Sequence, residues 1–366
     1  MPSIFVTHMI TDSQSVETMA FECLVKRGYS TISAEGLVSP AFPDTFAPSA
    51  FHARIVSGAK FGPDSGANTG LAGSQWVYRH IDQEKVGSST FHLSCFKMLV
   101  FFTVHTPILD DREIRHESIV TFAGLLRGIG VRSEKCLITY FGGGKIRGQG
   151  FDADDEVVEL WTAIGVPREN LIPVGGDSNF TNVLRRGEPA GPRCEVFWPI
   201  SNGSFVEVGT VSFEKYLLEG RKLDLSASKG LVYGGAVGLE RMAMIASGLH
   251  DVFSIPELRS LVNLVEGGID GRLSRVCAAQ VRQLVDAVRT LSILAIEVGE
   301  VGEGRRAERI HRLGGIVRRC MRALGIEDGR NLVRGLVEAI ILQGNVTTGV
   351  AVSKLIDIVI QSVQLV

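Results

Sequence analysis

Apolar positions recur at three- and four-residue spacing over Val16, Met19, Ala20, Cys23 and Leu24, which predicts a helix from about Ser13 to Arg27. Asp12 or Ser13 supplies the cap, and Gly28 after Lys26-Arg27 stops it. Residues 31–75 carry Gly, Pro and Ser with short apolar pieces, so strands and long loops are expected there. Met98–Val104 is a short continuous apolar run and reads as a buried strand. Helical spacing returns over Asp110–Arg127 and Asp154–Ile164, and residues 195–217 alternate as strands do. From about Leu273 the pattern is helical: Val281, Leu284, Val288, Leu291 and Ala295 form one stripe. A Gly/Glu-rich break at 298–304 precedes a basic helix to about Leu324, and segments 331–343 and 350–365 read as helices. The pattern predicts an α/β (α+β) domain over 1–264, with an antiparallel sheet flanked by helices, followed by a helical domain over 265–366.

Length and charge narrow the possibilities. At roughly 150 residues per domain, 366 residues suggest about two domains. The 38 basic and 40 acidic residues leave a net charge of −2, which argues against a protein coated in basic charge for nucleic acid or anionic membrane. The six cysteines are scattered, without a C-x-x-C pair, which fits a reducing compartment and offers no zinc-ligand spacing. No run of ~18 uncharged apolar residues appears, so no membrane partner is expected, and a cytoplasmic location is. The N-terminus lacks the basic patch and apolar core of a signal peptide.

Three stretches carry candidate chemistry. Residues 154–198 read DDEVVELWTAIGVPRENLIPVGGDSNF and then AGPRCEVFW; residues 74–99 read SQWVYRHIDQEKVGSSTFHLSCFKML; residues 234–245 read GGAVGLERMAMI. In this order they resemble the catalytic core of alanyl-tRNA synthetase, a class II aminoacyl-tRNA synthetase, and the opening FECLVKRGYSTISAEGLVSPAFPDTF is similar to that family's first signature region. The likeness covers about residues 14–250 and continues more weakly through 275–325, where GIVRRCMRALGIE resembles a family helix.

The resemblance implies ATP and Mg²⁺ as cofactors, an amino acid or related carboxylate as substrate, and a tRNA acceptor stem or a small-molecule acceptor as partner. It implies that Arg79 grips the α-phosphate and the substrate carboxylate, and that Arg241 stacks on adenine and reaches the γ-phosphate. Phe96 would sandwich the adenine from the other side, and His92 would contact phosphate or be a satisfied buried histidine. Gly238 would let the nucleotide approach the backbone. Independently, Glu207 sits between Val206 and Val208 in an alternating strand and faces away from their apolar side, so Glu207 and Glu195 are candidate Mg²⁺ ligands. Bent phosphates and a pentavalent α-phosphorus require guanidiniums on opposite sides of the nucleotide and a divalent metal.

Departures from the family pattern concentrate in the expected amino-acid pocket. Gly234, after Tyr233, stands where the family has the aspartate that receives the alanine ammonium. Gly209 and Thr210 replace a Trp and an Asn, Thr181 replaces a Trp, and Lys97 replaces a Glu. Alanine is therefore not the expected substrate. The chain stops before the family's editing and C-terminal domains, and no zinc is expected. Between 303 and 322 lie seven arginines, of which Arg305, Arg312, Arg318, Arg319 and Arg322 form a candidate acceptor face or an ordinary solvated helix face. The family asparagine that reads the acceptor stem is here Gly302. Alongside an adenylate-forming enzyme, the sequence leaves open a non-catalytic paralogue that binds nucleotide, amino acid or tRNA as a regulator, and a truncated tRNA-charging enzyme.

Overall fold

The computed structural model describes residues 12–63, 70–107, 111–176, 178–181, 187–200, 203–219, 224–269, 275–343 and 351–364. Helix α1 (Ser13–Lys26) opens the described chain, and Asp12 caps it by accepting from the Ser15 backbone N–H at 2.7 Å. The strands that follow are β1 (Ser30–Thr31), β2 (Leu71–Tyr78) and β3 (Cys95–His105), with α2 (His52–Phe61) between the first two. Next come α3 (Arg112–Gly128), β4 (Leu137–Phe141), the hairpin β5 (Gly144–Ile146) and β6 (Gln149–Phe151), α4 (Glu156–Ala163) and β7 (Leu171–Val174). Four further elements complete the sheet region: β8 (Pro189–Ala190), β9 (Arg193–Pro199), β10 (Phe205–Glu219) and β11 (Asp224–Gly238).

These strands build one sheet in the order β1-β2-β3-β11-β10-β9-β4-β7, with β8 attached to β10. The pairings among β2, β3, β11, β10, β9 and β4 are antiparallel; only the outer pairs β1–β2 and β4–β7 are parallel. Alternation sorts side chains between the two faces. On β3, Cys95, Leu99 and Phe101 join the main core with Val16, Ala20 and Leu24 of α1 and Phe122 of α3, while Val100 and Phe102 face a smaller cluster with Phe51 and Ala59 near α2. Among the described residues, α2 covers the second face at one end and leaves it open at the other.

Helix α2 departs from the expected loop over 31–75. Its first turn follows Phe51, a buried residue in the left-handed region at φ 53°, so it begins without a polar cap. It packs through Gly58, where an added Cβ would lie 2.7 Å from a Val104 methyl. Neither feature leaves the apolar stripe by which helices are read.

After β11 come α5 (Leu239–Ala246), α6 (Pro256–Gly267), α7 (Arg275–Val298), α8 (Arg305–Leu324), α9 (Gly329–Leu342) and α10 (Val352–Val363). The boundary expected between 264 and 265 falls inside α6, and one hydrophobic core runs from the sheet through Leu284, Val288 and Leu291 of α7 to Val317 and Val359. The seam between α7 and the sheet is also polar. Asp286 accepts from the Ser94 N–H at 3.0 Å, Arg289 donates to the Cys95 carbonyl at 2.7 Å and to Glu240, and Gln283 donates to the Val86 carbonyl at 3.0 Å.

Candidate active site

The open part of the sheet forms a cleft of about 220 Å³, with β3, β11, β10 and β9 as its floor. Its lining includes Arg79, His92, Phe96, Glu195, Glu207 and Arg241. Each arrives by a local rule. Phe96 and Met98 point into the cleft because they alternate with Cys95 and Leu99 of the buried face. Arg193 and Glu195 alternate in the same way with buried Cys194 and Val196. On β10 the register shifts between Glu207 and Gly209, a bulge that leaves Glu207, Gly209 and Thr210 all lining the cleft. Gly209 is required there, since a Cβ would come within 2.3 Å of the Ala236 carbonyl oxygen.

The charges form opposed sets. Arg241, in the first turn of α5, donates to the Glu207 carbonyl at 2.7 Å and to its carboxylate at 3.4 Å, and its guanidinium carbon lies 5.6 Å from the Phe91 ring centroid. Arg79, just past β2, pairs with Asp82 at 3.6 Å and is about a third exposed toward the cleft. Arg193 pairs with Glu195 at 2.7 Å. Burial pushes the Glu195 carboxyl above its ordinary range; Arg193 pulls it back and the charge of Glu207 adds to the rise. Burial, then Arg241, lowers the pKa of His92, so its ring is neutral at pH 7; its Nδ1 lies 2.7 Å from the Ser89 hydroxyl.

Glu195 and Glu207 face one cleft from neighbouring strands and feel each other's charge, a pair of hard oxygen donors of the kind that holds Mg²⁺ together with substrate phosphates. Among the described residues no cluster of three or more His, Cys, Asp or Glu forms a self-sufficient metal cage.

Gly209, Thr210 and Gly238 stand in the cleft as expected. Four other expected pocket residues do not. Lys97 alternates onto the opposite face, where its ammonium bonds the Glu17 carboxylate of α1 at 2.8 Å. Tyr233 points into the helix-covered core and donates to Asp111, with its ring edge-on to Phe213 at 5.4 Å. Gly234 is walled in by backbone, since a Cβ would lie 2.0 Å from the Phe101 carbonyl oxygen. Thr181 donates to the Gly191 carbonyl at 3.2 Å, outside the cleft lining. Conversely, Phe91, Asp82, Met98 and Arg193 belong to the lining and were not singled out from sequence. The signal for Arg193 was present, two residues before Glu195 in AGPRCEVFW.

On α8, Arg305, Arg312 and Arg319 are exposed at seven-residue intervals and so share one side of the helix, with Arg322 exposed nearby. Arg305 lies 3.7 Å from Asp44 and Arg312 pairs with Glu84 at 2.9 Å. Arg318 is not part of that face: it donates to the Val363 carbonyl at 2.6 Å and ties α8 to α10. No helix among the described residues is long and apolar enough to cross a membrane.

The sheet is mainly antiparallel, helix-covered on one face and open on the other to a cleft between two arginines. In sequence the chain is similar to alanine–tRNA ligases. It is 26% identical over 223 residues to the alanine–tRNA ligase of Granulibacter bethesdensis, covering 57% of this chain and 23% of that protein. It is 24% identical over 325 residues to that of Chelativorans sp., covering 83% and 34%, and 26% identical over 227 residues to the human mitochondrial alanine–tRNA ligase, covering 58% and 22%. The chain thus spans between about a fifth and a third of the length of these curated relatives. Among solved structures, pyrrolysyl-tRNA synthetase from Desulfitobacterium hafniense is similar at a TM-score of 0.39 and 15% identity, over 69% of this chain and 75% of that chain. No family model matches the chain.

Proposed function

We propose that the cleft binds ATP and activates the carboxylate of an amino acid, or a related acid, as its acyl-adenylate, which then passes to an acceptor. The observation that carries this reading is the placement of Arg79 and Arg241 around one cleft whose floor presents Glu195 and Glu207. In the reaction a carboxylate oxygen attacks the α-phosphorus, the bond from that phosphorus to the bridging β-phosphate oxygen breaks, and pyrophosphate leaves. Arg79 would hold the α-phosphate and the incoming carboxylate together, which removes the entropic cost of the encounter. Arg241, already positioned over an aromatic ring by its bond to the Glu207 carbonyl, would cover the adenine and meet the terminal phosphates. Glu195 and Glu207 would hold Mg²⁺, which supplies charge neutralisation on the phosphates when bound.

The acid activated is not alanine in this reading. Thr210 stands in the cleft where the related family carries an asparagine, which changes the groups that meet the substrate. The exposed arginines 305, 312, 319 and 322 of the helical part, residues 265–366, would take the anionic backbone of an acceptor. Incubation with Mg²⁺-ATP and pools of amino acids, followed by mass spectrometry of the protein fraction, tests the reading. A retained aminoacyl-adenylate is expected from one pool. AMP formation in none of the pools would overturn it.

A further inference from the structure

No described residue of helix α7 lines the cleft. Yet two of its buried charged residues, Asp286 and Arg289, hold the peptides from which the cleft's nucleotide-facing groups project. They lie three residues apart and so share one side of the helix. Arg289 donates to the Cys95 carbonyl at 2.7 Å and to Glu240, and the buried Glu240 accepts from the Lys97 N–H at 3.0 Å. That carbonyl and that N–H belong to the two peptides flanking Phe96, so one ion pair fixes the strand on both sides of the ring. Glu240 also directly precedes Arg241 in the first turn of α5. Asp286 accepts from the Ser94 N–H at 3.0 Å, and the Ser94 carbonyl accepts from the Arg79 N–H at 2.8 Å. Phe96 and Arg241 close on one spot in the cleft: a Cβ on Gly238 would lie 3.5 Å from the Phe96 ring and 3.9 Å from the Arg241 Cβ.

We propose that Asp286 and Arg289 are positioning residues for the nucleotide: one turn of α7 sets Arg79, Phe96 and Arg241 in a common frame, so the cleft's affinity for ATP depends on the docking of α7. The proposal rests on the reading of the cleft as an ATP site. Stability alone does not call for this arrangement. Apolar residues of similar volume at such a seam stabilise as well or better, whereas an ion pair hydrogen-bonded at both ends admits a single geometry. The guanidinium suits the task because its planar fork bonds two acceptors at a fixed angle, which the point charge of an ammonium does not. Small displacements matter there, since about 1 Å of misplacement can cost a hundredfold in rate. Gln283, one turn earlier on α7, is the contrast. It donates to the Val86 carbonyl at 3.0 Å, and Val86 lies outside the cleft lining.

Calorimetric titration of the full chain with Mg²⁺-ATP, at a temperature where thermal melts show every variant folded, tests the proposal. Arg289→Lys keeps a charge for Glu240 but loses the fork, and at least tenfold weaker binding is expected. Asp286→Ala should lose a similar factor, and Asp286→Asn, which keeps an oxygen for the Ser94 N–H, should recover it. Gln283→Ala removes a bond of the same seam and should bind ATP as the parent does, although it melts at a lower temperature. A role confined to stability would instead make affinity follow the melting temperature through all four variants, and that result overturns the proposal. Parental affinity in both Arg289→Lys and Asp286→Ala overturns it as well, and leaves the reading of the cleft standing. A parent chain that binds no ATP removes that reading and the positioning role together.

Discussion

Arg241 reaches back across the cleft to the strand that floors it: its guanidinium donates to the Glu207 carbonyl at 2.7 Å and lies over the Phe91 ring. A backbone carbonyl does not move with pH or salt, so this bond holds the arginine in one orientation before any ligand arrives. Preorganisation of that kind lowers the cost of binding a polyanion.

Arg241→Ala should therefore abolish detectable ATP binding while the fold persists. The lost cation–π and charge-assisted phosphate contacts together amount to about 3 kcal/mol or more. Calorimetric titration with Mg²⁺-ATP checks this. An unchanged dissociation constant would remove Arg241 from the site.

The buried pair Arg289–Glu240 joins α7 to the helix that carries Arg241, with the guanidinium also stacked 4.9 Å from the Trp76 ring centroid. Arg289→Met strands a buried carboxylate, and a loss of about 3–5 kcal/mol is expected. Urea unfolding gives the value from the shift in midpoint at constant slope. Adding Glu240→Gln, which keeps an acceptor for the Lys97 N–H, should recover part of it. A midpoint shift under one kcal/mol-equivalent for the single variant would mean that the seam carries no such coupling.

Restoring the family's missing carboxylate should fail. Any Cβ at Gly234 meets the Phe101 carbonyl oxygen at 2.0 Å and the Phe102 backbone at 2.7 Å. Gly234→Ala is expected to destabilise by about 1–3 kcal/mol or more, as overpacking does. Gly234→Asp should do the same without conferring activity on alanine. Thermal melts of both variants decide the point, and a Gly234→Asp protein of undiminished stability would contradict it.

Glu214 is half-buried beside Thr181, with one carboxylate oxygen fully covered, and desolvation lifts its carboxyl from the ordinary 4.5 to about 7. Because the folded-state value is raised, the neutral form is favoured by folding, and ionisation costs stability as pH climbs from 4.5 to 7. Glu214→Gln should match the wild type near pH 4 and exceed it above pH 7, by up to about 3 kcal/mol. Urea midpoints of both proteins across that range check this. A difference independent of pH would rule it out.

Much of this was legible in the sequence because it follows from local periodicity. The β3 run placed a buried strand correctly, and its alternation already assigns Phe96 to one face and Lys97 to the other. The motif resemblance taken alone places Lys97 in the pocket. Helix α8 was readable, and the exposure of Arg305, Arg312 and Arg319 follows from their heptad spacing. Arg318 departs from that face because its partner, the Val363 carbonyl, is contributed by a helix 45 residues away. The same holds for Asp286 and Arg289, whose partners Ser94 and Glu240 are set by the docking of α7 on the sheet rather than by any nearby pattern.

The central claim, that this cleft makes an acyl-adenylate from an acid other than alanine, is tested most directly by ATP–pyrophosphate exchange across a panel of amino acids and related acids. One acid should support exchange at a rate at least about a hundredfold above alanine, a discrimination of about 3 kcal/mol. Robust exchange with alanine at low millimolar concentration, or exchange with no acid in the panel, would contradict the account.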